Sequence, residues 1–221
     1  MKISEIFLSI DGEGIRTGYP VIFIRTHGCI LNCSYCDSMY AVTGTDYTHM
    51  TVNQILETIG KWQWCKRVTI TGGEPLIQPD MLELITKLRQ DDYEVNVETC
   101  GAVRIDKLRA QPVSASCGKL IVTMDWKSLS SCMADRMISA NLDALCHQDV
   151  LKFVVGSRDD LDQMRSLLSD HSIVCNVFVS PIFNTIEPKE IVEYLIEHEL
   201  HNCRVQLQLH KFIWDPQLRG V

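Results

Sequence analysis

Short β-branched runs alternate along the chain with stretches of helical periodicity. Seven runs predict strands, at residues 21–26, 67–71, 93–98, 120–125, 150–155, 173–180 and 204–209. Several are apolar on both faces, which is typical of parallel strands covered by helices. The alternation predicts an α/β protein whose parallel sheet is built with right-handed crossovers.

Polar residues before the apolar helical stretches indicate where helices begin. Thr51-x-x-Gln54 has the form of a capping box, in which each residue satisfies a backbone N–H of the other. Asp80-x-x-Glu83 has the same form, and Pro188 suits a first helical turn. We therefore expect helices to start after Thr51 and Asp80 and at Pro188.

The length of the alternating region limits the architecture. A closed eight-unit barrel takes about 250 residues, or roughly 31 per unit, so residues 21–209 provide about six units. We expect a laterally open, partial (β/α)6 TIM-like barrel, with 1–221 as a single domain. A doubly wound sheet is the competing architecture. Both folds place chemistry at the carboxyl ends of their strands.

Composition narrows the class of protein. The chain has 221 residues, 46% of them hydrophobic and 22% charged, and a formal net charge of −7. An acidic chain is a poor general binder of nucleic acid, and no apolar run approaches the roughly 20 residues of a membrane helix. We see no secretion signal, so ten cysteines point to a reducing, cytoplasmic setting in which thiols bind metals, catalyse or pack.

Three of the ten cysteines, Cys29, Cys33 and Cys36, lie within eight residues directly after a predicted strand. Three thiolates in this spacing can each hold one iron of a 4Fe–4S cluster and leave the fourth iron open. A zinc site completed by a distant His or Cys is the alternative. Zinc sites usually bring two paired elements, and the sequence has no second C-x-x-C pair. We expect the other seven cysteines to be small buried hydrophobes.

The C-x-x-x-C-x-x-C spacing after a strand resembles the signature of radical S-adenosylmethionine (SAM) enzymes. Thr71-Gly72-Gly73-Glu74-Pro75 ends the next predicted strand and resembles the GGEP motif of that superfamily. The resemblance implies a three-cysteine 4Fe–4S cluster whose open iron binds SAM, and an adenosyl radical that abstracts hydrogen from the substrate. It also implies SAM contacts from the motif, because glycine admits close approach and a carboxylate attracts an ammonium.

Further blocks resemble the 7-carboxy-7-deazaguanine synthase family, whose members contract 6-carboxy-5,6,7,8-tetrahydropterin on the route to queuosine and lose ammonium. The blocks occur in order across nearly the whole chain: Ile10-Asp11-Gly12-Glu13-Gly14, Cys36-Asp37-Ser38, Glu98-Thr99-Cys100-Gly101, Asp125-Trp126-Lys127 and Gln208-x-His210-Lys211. The family usually has Gln where this chain has Asp11.

The resemblance assigns roles to individual residues. Implied substrate contacts are Ile10, Asp11, Gly12, Glu13, Arg25, Thr71 and His210. Implied SAM contacts are Tyr35, Cys36, Asp37, Gly73, Glu74, Asp125 and Lys127. Ser38 is the implied Mg²⁺ ligand, since Mg²⁺ takes few protein ligands and completes its shell with substrate oxygens and water. Glu13 suits the amino-pyrimidinone edge of a pterin, and the Arg25 guanidinium suits its carboxylate.

The family resemblance also implies an electron donor such as flavodoxin or ferredoxin and a second copy of the chain as partners. Two other functions remain open. A radical activase, which installs a glycyl radical on another protein, shares the cysteine triad but does not need a pterin pocket containing Glu13 and His210. A zinc-binding interaction module would use the cysteines without SAM.

Overall fold

The computed structural model describes residues 1–110, 117–216 and 218–221. The strands in these ranges are β1 (Lys2–Ile10), β2 (Pro20–Thr26), β3 (Thr48–His49), β4 (Arg67–Gly72), β5 (Glu94–Thr99), β6 (Leu120–Trp126), β7 (Val150–Val155), β8 (Asn176–Pro181) and β9 (Cys203–Val205). The α-helices are α1 (Tyr40–Thr43), α2 (Val52–Ile59), α3 (Met81–Gln90), α4 (Asp106–Arg109), α5 (Arg158–Asp170), α6 (Pro188–Glu197) and α7 (His210–Ile213). Short 3₁₀ turns occupy Gly14–Arg16, Gly60–Trp62, Pro75–Ile77, Leu129–Ser131, Ala134–Arg136 and Ser139–Ala144.

The described strands form one open sheet in the order β3-β1-β2-β4-β5-β6-β7-β8-β9. The strands β2 and β4 to β9 are parallel, and their order in the sheet is their order in the chain. A doubly wound sheet requires a reversal of strand order, so that alternative is wrong. The partial barrel is confirmed, and six crossovers join its seven parallel strands.

Two antiparallel strands, β1 and β3, extend the sheet beyond the predicted set. β1 pairs with β2 from Ile3↔Thr26 to Ile10↔Pro20, and β3 pairs with the start of β1. The register of β1 shifts between Ile3 and Glu5. This irregularity explains why the strand is hard to see in the sequence, because it breaks the two-residue alternation on which strand prediction rests.

All three helices start where predicted, α2 at Val52, α3 at Met81 and α6 at Pro188, but one of the two predicted capping boxes does not form. The Thr51 side chain accepts from the Gln54 backbone and the Gln54 side chain accepts from the Thr51 backbone, so this capping box is confirmed. α6 begins at Pro188 as predicted. The predicted capping box at Asp80 is wrong: Asp80 has a left-handed backbone, φ 61°, and its side chain makes no capping hydrogen bond.

The two faces of the parallel sheet differ in chemistry. One face packs on the helices and contributes alternate apolar residues of each strand, such as Val68 and Ile70, to the main hydrophobic core. The other, the inner face, carries the intervening residues of β4 to β7, which are mostly polar: Thr69, Thr71, Asn96, Glu98, Thr123, Asp125 and Lys152. The prediction of strands apolar on both faces is therefore wrong for these strands. Their polar residues line the interior of the open barrel.

The last strand is shorter than predicted. β9 ends at Val205, and the chain then leaves the sheet, so residues 206–209 do not extend it as expected. The Gln206 side chain instead binds the loop after β1: it accepts from Gly14 N at 2.7 Å and donates to Gly14 O at 3.0 Å. No helix in the described ranges is long and apolar enough to cross a membrane.

Candidate active site

The cysteine loop follows β2 and is fixed at both of its ends. Gly28 N donates to Ala41 O at 2.7 Å, and Ser34 N donates to Ser131 O at 3.1 Å. The thiols of Cys29, Cys33 and Cys36 are half-buried and, like every cysteine in the described ranges, they form no disulfide. The loop therefore presents three free thiols at the carboxyl end of the first parallel strand.

The three thiols differ in their surroundings. A hydrogen bond from Cys100 lowers the pKa of Cys29 to about 7, whereas burial raises the pKa of Cys33 and of Cys36. Among the residues that the structure describes, no three His, Cys, Asp or Glu side chains converge closely enough to hold one metal ion. The spacing of the three thiols on one loop is the feature that suits a 4Fe–4S cluster, in which each cysteine binds a different iron.

The seven other cysteines are less uniformly buried than predicted. Cys65 and Cys100 are buried, which confirms the expectation for these two, but Cys132 is exposed and the prediction is wrong for it. Cys100 also lies beside the cysteine loop, where its thiol hydrogen-bonds Cys29.

The Gly-Gly-Glu-Pro turn after β4 packs directly against the cysteine loop. Gly72 has φ +126°, and a Cβ at Gly73 would lie 2.0 Å from Gly28 O. Gly73 N donates to Thr26 O at 3.1 Å, and Glu74 N donates to Gly28 O at 2.8 Å. The glycines are therefore required by the contact between two segments of backbone, and the contact of Gly73 with SAM stays a prediction.

The Glu74 carboxylate serves the fold. Its side chain is fully buried and accepts from Leu76 N at 2.9 Å, from Cys100 N at 2.7 Å and from the Thr99 hydroxyl. These donors reach both carboxylate oxygens. The carboxylate therefore fastens the turn after β4 to the end of β5, and its contact with the ammonium of SAM stays a prediction.

Asp125 and Lys127 meet Tyr35 beside the cysteine loop. Lys127 Nζ lies 2.9 Å from Asp125 Oδ2 and 5.9 Å from the centre of the Tyr35 ring. Burial would lower the pKa of Lys127, but the charge of Asp125 outweighs it and keeps the ammonium protonated. Asp125 Oδ1 and the Tyr35 hydroxyl are buried without a hydrogen-bond partner in the described part of the chain. Unsatisfied buried groups are rare in folded proteins, so these two atoms point to a ligand.

Ser38 and Asp37 form an oxygen pair just after the last cysteine. The Ser38 hydroxyl donates to Asp37 Oδ1 at 3.0 Å, and Lys211 Nζ lies 3.7 Å from Asp37 Oδ2. The contact with Lys211 ties the C-terminal helix α7 to the cysteine loop. A hydroxyl beside a carboxylate provides the hard oxygen donors that Mg²⁺ prefers.

Asp11 lies in a buried network of its own. Arg16 Nε binds Asp11 Oδ2 at 2.8 Å and the Thr69 hydroxyl donates to Asp11 Oδ1 at 2.8 Å. Its backbone is also paired, since Asp11 N donates to Tyr19 O and Gly18 N donates to Asp11 O. The structure thus gives Asp11 a role in anchoring the loop that follows β1. Ile10 ends that strand opposite Pro20.

Gly12 and Glu13, which follow Ile10, contact the C-terminal segment and β7. A Cβ at Gly12 would lie 2.1 Å from His210 Nδ1, and Gly12 O accepts from Leu209 N at 3.0 Å. Burial lowers the pKa of His210, so its imidazole is neutral at neutral pH. Glu13 Oε2 pairs with the Lys152 ammonium, while Glu13 Oε1 is buried and has no partner within the described ranges.

Arg25 and Thr71 occupy opposed positions on β2 and β4. Arg25 Nε binds Glu5 Oε1 at 2.7 Å, and the Tyr40 hydroxyl donates to the same oxygen at 2.7 Å. The Thr71 hydroxyl donates to Glu98 Oε2 at 2.6 Å. Burial raises the pKa of Glu98. Both predicted substrate residues thus lie on the inner face, each bound to an acidic side chain.

The structure adds residues that the sequence analysis did not assign to the site. Glu98 belongs to the block Glu98-Thr99-Cys100-Gly101, for which the resemblance implies no side-chain role, and no motif includes Gln206. Lys152 interrupts the otherwise apolar strand Val-Leu-Lys-Phe-Val-Val, and a lysine in a buried strand is rare unless it is paired. That interruption is a usable signal in the sequence. Gln206 offers none, because its contact with Gly14 spans 192 residues.

An open, sequentially ordered parallel sheet, with a three-cysteine loop after one strand and a Gly-Gly-Glu-Pro turn after its neighbour, defines a radical SAM enzyme. Residues 23–115 match the Radical SAM superfamily. The chain is also 38% identical to 7-carboxy-7-deazaguanine synthase of Clostridium acetobutylicum, over 100% of this chain and 99% of that protein. It is 39% identical to the protein of that name in Methanospirillum hungatei, over 98% of this chain and 86% of the relative. It belongs to the 7-carboxy-7-deazaguanine synthase family.

Solved structures agree on the fold. The crystal structure of QueE from Escherichia coli superposes with a TM-score of 0.73 at 24% identity and covers 94% of this chain and 93% of that one. The SuiB structure from Streptococcus suis bound to S-adenosylmethionine gives a TM-score of 0.56 at 14% identity, over 85% of this chain and 49% of SuiB. The shared core is therefore the partial barrel.

Proposed function

We propose that this chain catalyses the radical SAM ring contraction of 6-carboxy-5,6,7,8-tetrahydropterin to 7-carboxy-7-deazaguanine, with loss of ammonium, in the biosynthesis of queuosine and related 7-deazapurines. The observation that carries the proposal is the pairing, in one open barrel, of a loop with three free thiols and a buried glutamate oxygen without a partner, Glu13 Oε1. The first suits a cluster, and the second suits a polar heterocycle.

Cys29, Cys33 and Cys36 are the residues that would hold the 4Fe–4S cluster. When bound, the cluster and SAM together supply an adenosyl radical that abstracts hydrogen from the substrate. The chain contributes the binding of SAM: the unpaired Asp125 Oδ1 accepts a hydrogen bond, Lys127 holds the other oxygen of Asp125, and Tyr35 offers a hydroxyl and a ring face. Gly73 contributes backbone, since its side of the turn abuts the cysteine loop.

Residues of the inner face would bind the pterin by its edges. Glu13 Oε1 accepts from the amino-pyrimidinone edge, because a buried carboxylate oxygen needs a donor. His210 lies against Gly12 and, when neutral, can donate with one ring nitrogen and accept with the other. Arg25 would bind the substrate carboxylate with the part of its guanidinium that does not bind Glu5. Thr71 contacts the ring beside Glu98.

Ser38 would provide a protein oxygen for Mg²⁺, with substrate oxygens and water filling the remaining positions. There the ion would orient the substrate carboxylate and stabilise developing negative charge. Asp37, which accepts a hydrogen bond from the Ser38 hydroxyl, would contact SAM. We further propose that residues 1–221 act as one catalytic domain in the cytoplasm. Its partners would be a one-electron donor such as flavodoxin or ferredoxin and a second copy of the chain.

The direct test is anaerobic turnover of the cluster-loaded enzyme with a chemical reductant, SAM, Mg²⁺ and the carboxytetrahydropterin. We expect 7-carboxy-7-deazaguanine by mass spectrometry, and no product from the Cys33→Ala variant. Lys189→Met, at an 82% exposed side chain on α6, is the control and should keep full activity. Slow release of 5′-deoxyadenosine without any deazapurine would refute the substrate assignment.

The same preparation separates the two alternatives. A radical activase would leave the pterin unchanged and generate a glycyl radical signal on a co-purified protein. A zinc-binding module would be colourless and contain zinc, whereas an iron–sulfur enzyme is brown and contains iron and sulfide.

A further inference from the structure

Lys152 is a buried cation at the centre of the inner face. It lies in the middle of β7 with a relative exposure of 9%, opposite Asp125 of β6 in the sheet register. Its ammonium pairs with Glu13 Oε2 across 139 residues of sequence. A lysine in this position is costly to bury unless it is paired, so its retention in an otherwise apolar strand calls for an explanation.

Carboxylates from three segments face this one lysine. Burial alone would lower the pKa of Lys152, but the charges of Glu13, Asp125 and Glu98 outweigh it and hold the ammonium protonated. Glu13 comes from the loop after β1, Glu98 from β5 and Asp125 from β6. Lys152 also acts electrostatically on His210 and Asp37, which lie near the C-terminal helix and the cysteine loop.

The contact with Glu13 leaves one carboxylate oxygen available. Lys152 takes Oε2, and Oε1 is buried and has no partner in the described residues. The ammonium of Lys152 holds the carboxylate group at Oε2 and leaves Oε1 directed away from the contact. A single contact thus fixes the direction of Glu13.

We propose that Lys152 is a positioning residue for pterin recognition: it pairs with Glu13 Oε2 and orients the carboxylate so that Glu13 Oε1 accepts from the amino-pyrimidinone edge. This inference rests on the proposed function and deepens it. Lys152 acts through Glu13 and does not itself touch the substrate. The cysteine loop and SAM binding do not depend on this contact.

The experiment is a double-mutant cycle on binding. The carboxytetrahydropterin is titrated anaerobically into the cluster-loaded protein without reductant, and heat is measured for the wild type, Lys152→Gln, Glu13→Gln and the double variant. We expect Lys152→Gln to weaken binding about tenfold or more, because its loss leaves a buried carboxylate unpaired. In the Glu13→Gln background, the same change should weaken binding by less than about threefold, since the group through which Lys152 acts is gone.

Two further variants separate charge from folding. Lys152→Arg keeps the charge and should bind the pterin within about threefold of the wild type, which also tests the proposal if Lys152→Gln does not fold. Lys189→Met, a change of an exposed lysine, should bind as the wild type does. Iron content should be unchanged in Lys152→Arg, Lys152→Gln and Lys189→Met, and SAM affinity should be unchanged in the two variants that leave the charge at position 152 in place, Lys152→Arg and Lys189→Met.

Each result bears on one claim. Equal weakening by Lys152→Gln in both backgrounds would overturn the positioning role, as would a folded Lys152→Arg that binds ten times more weakly. If the wild type binds the pterin and Lys152→Gln binds it equally well, the inference fails while the proposed function stands. If the wild type does not bind the pterin at all, the proposed function fails and the inference fails with it.

Discussion

Glu13 and Glu74 show how two buried carboxylates in one barrel differ in purpose. Both oxygens of Glu74 accept from the turn after β4 and the end of β5, so this carboxylate is fastened within the fold. Glu13 is held at one oxygen and unpaired at the other. An unpaired buried acceptor costs about 1–3 kcal/mol, which a ligand can recover. The unsatisfied atom, more than the charge, distinguishes the binding residue from the structural one.

A substitution at Gly73 tests the contact between the cysteine loop and the Gly-Gly-Glu-Pro turn. A Cβ there would meet Gly28 O at 2.0 Å, and a backbone oxygen cannot move aside as a flexible side chain does. We predict that Gly73→Ala lowers the free energy of unfolding by about 2 kcal/mol or more and reduces iron incorporation. Gly60→Ala is the control, since its Cβ would meet open space and its backbone is right-handed helical. Urea unfolding and iron analysis measure both effects; equal stability of the two variants would contradict the prediction.

A substitution at Glu98 tests how much stability a buried carboxylate on the inner face costs. Burial raises its folded-state pKa above the unfolded value, so the wild type loses stability as pH rises from the unfolded pKa through the folded one. Gln cannot titrate and can still accept from Thr71. We predict that Glu98→Gln becomes increasingly more stable than the wild type as pH rises through this window, while pterin turnover falls. Urea unfolding of the apoprotein between pH 4 and 8 follows the difference; a pH-independent difference would refute it.

At the scale of secondary-structure elements, the local sequence pattern predicts the strands well but predicts the helix caps only in part. β-branched runs correctly predict the seven parallel strands because they recur between helical patterns. The sequence does not predict β1 because its register shift breaks the alternation of apolar and polar residues. β9 is shorter than its apolar run because the chain leaves the sheet after Val205, and Gln206 then binds Gly14. Asp80 matches a capping sequence, yet its left-handed backbone, φ 61°, turns the residue away from that role.

The two cap sequences therefore respond differently to substitution. Thr51→Ala removes a confirmed cap and should cost about 1 kcal/mol of stability. Asp80→Gly should leave stability unchanged or raise it by up to about 1 kcal/mol, because glycine adopts a positive φ without strain. Thr58→Ala, on the exposed side of the same helix as the Thr51 cap, is the control and should be near neutral. Thermal and urea unfolding report all three; a loss of 1 kcal/mol in Asp80→Gly would restore the cap interpretation.

For the whole molecule, the loop after β1 joins distant parts of the barrel. Arg16 binds Asp11 and also donates to Glu94 O at 3.1 Å and Val68 O at 3.3 Å, so it links this loop to β4 and β5. Gln206 and Leu209 hold the same loop from the C-terminal side. These contacts bring the start and the end of the chain to one place on the inner face.

Removing Arg16 should destabilise the whole fold. Arg16→Met leaves the Asp11 carboxylate buried and unpaired, which typically costs about 3–5 kcal/mol. Arg158→Met removes an exposed ion pair with Glu197 and should cost less than about 1 kcal/mol. Urea unfolding compares the two variants. If Arg16→Met unfolds at the same urea concentration as Arg158→Met, the contacts that Arg16 makes with this loop are not essential for the stability of the fold.

The sequence predicts the local part of the site better than the long-range part. The cysteine loop and the Gly-Gly-Glu-Pro turn are contiguous motifs and lie together because adjacent parallel strands end at one edge. Glu74 and Asp11 belong to recognisable motifs, but those motifs do not reveal which buried groups the two side chains bind. Lys152 meets Glu13 across 139 residues, and Gln206 meets Gly14 across 192, so only the folded topology brings them together.

The most direct measurement of the central claim is the electron paramagnetic resonance spectrum of the reduced, cluster-loaded protein with and without SAM. Three cysteine ligands leave one iron open, so SAM should change the spectrum of a 4Fe–4S cluster, and ¹³C in its methionine carboxylate should couple to that cluster. A spectrum that SAM does not alter, or a protein whose three thiols bind zinc, would contradict the account.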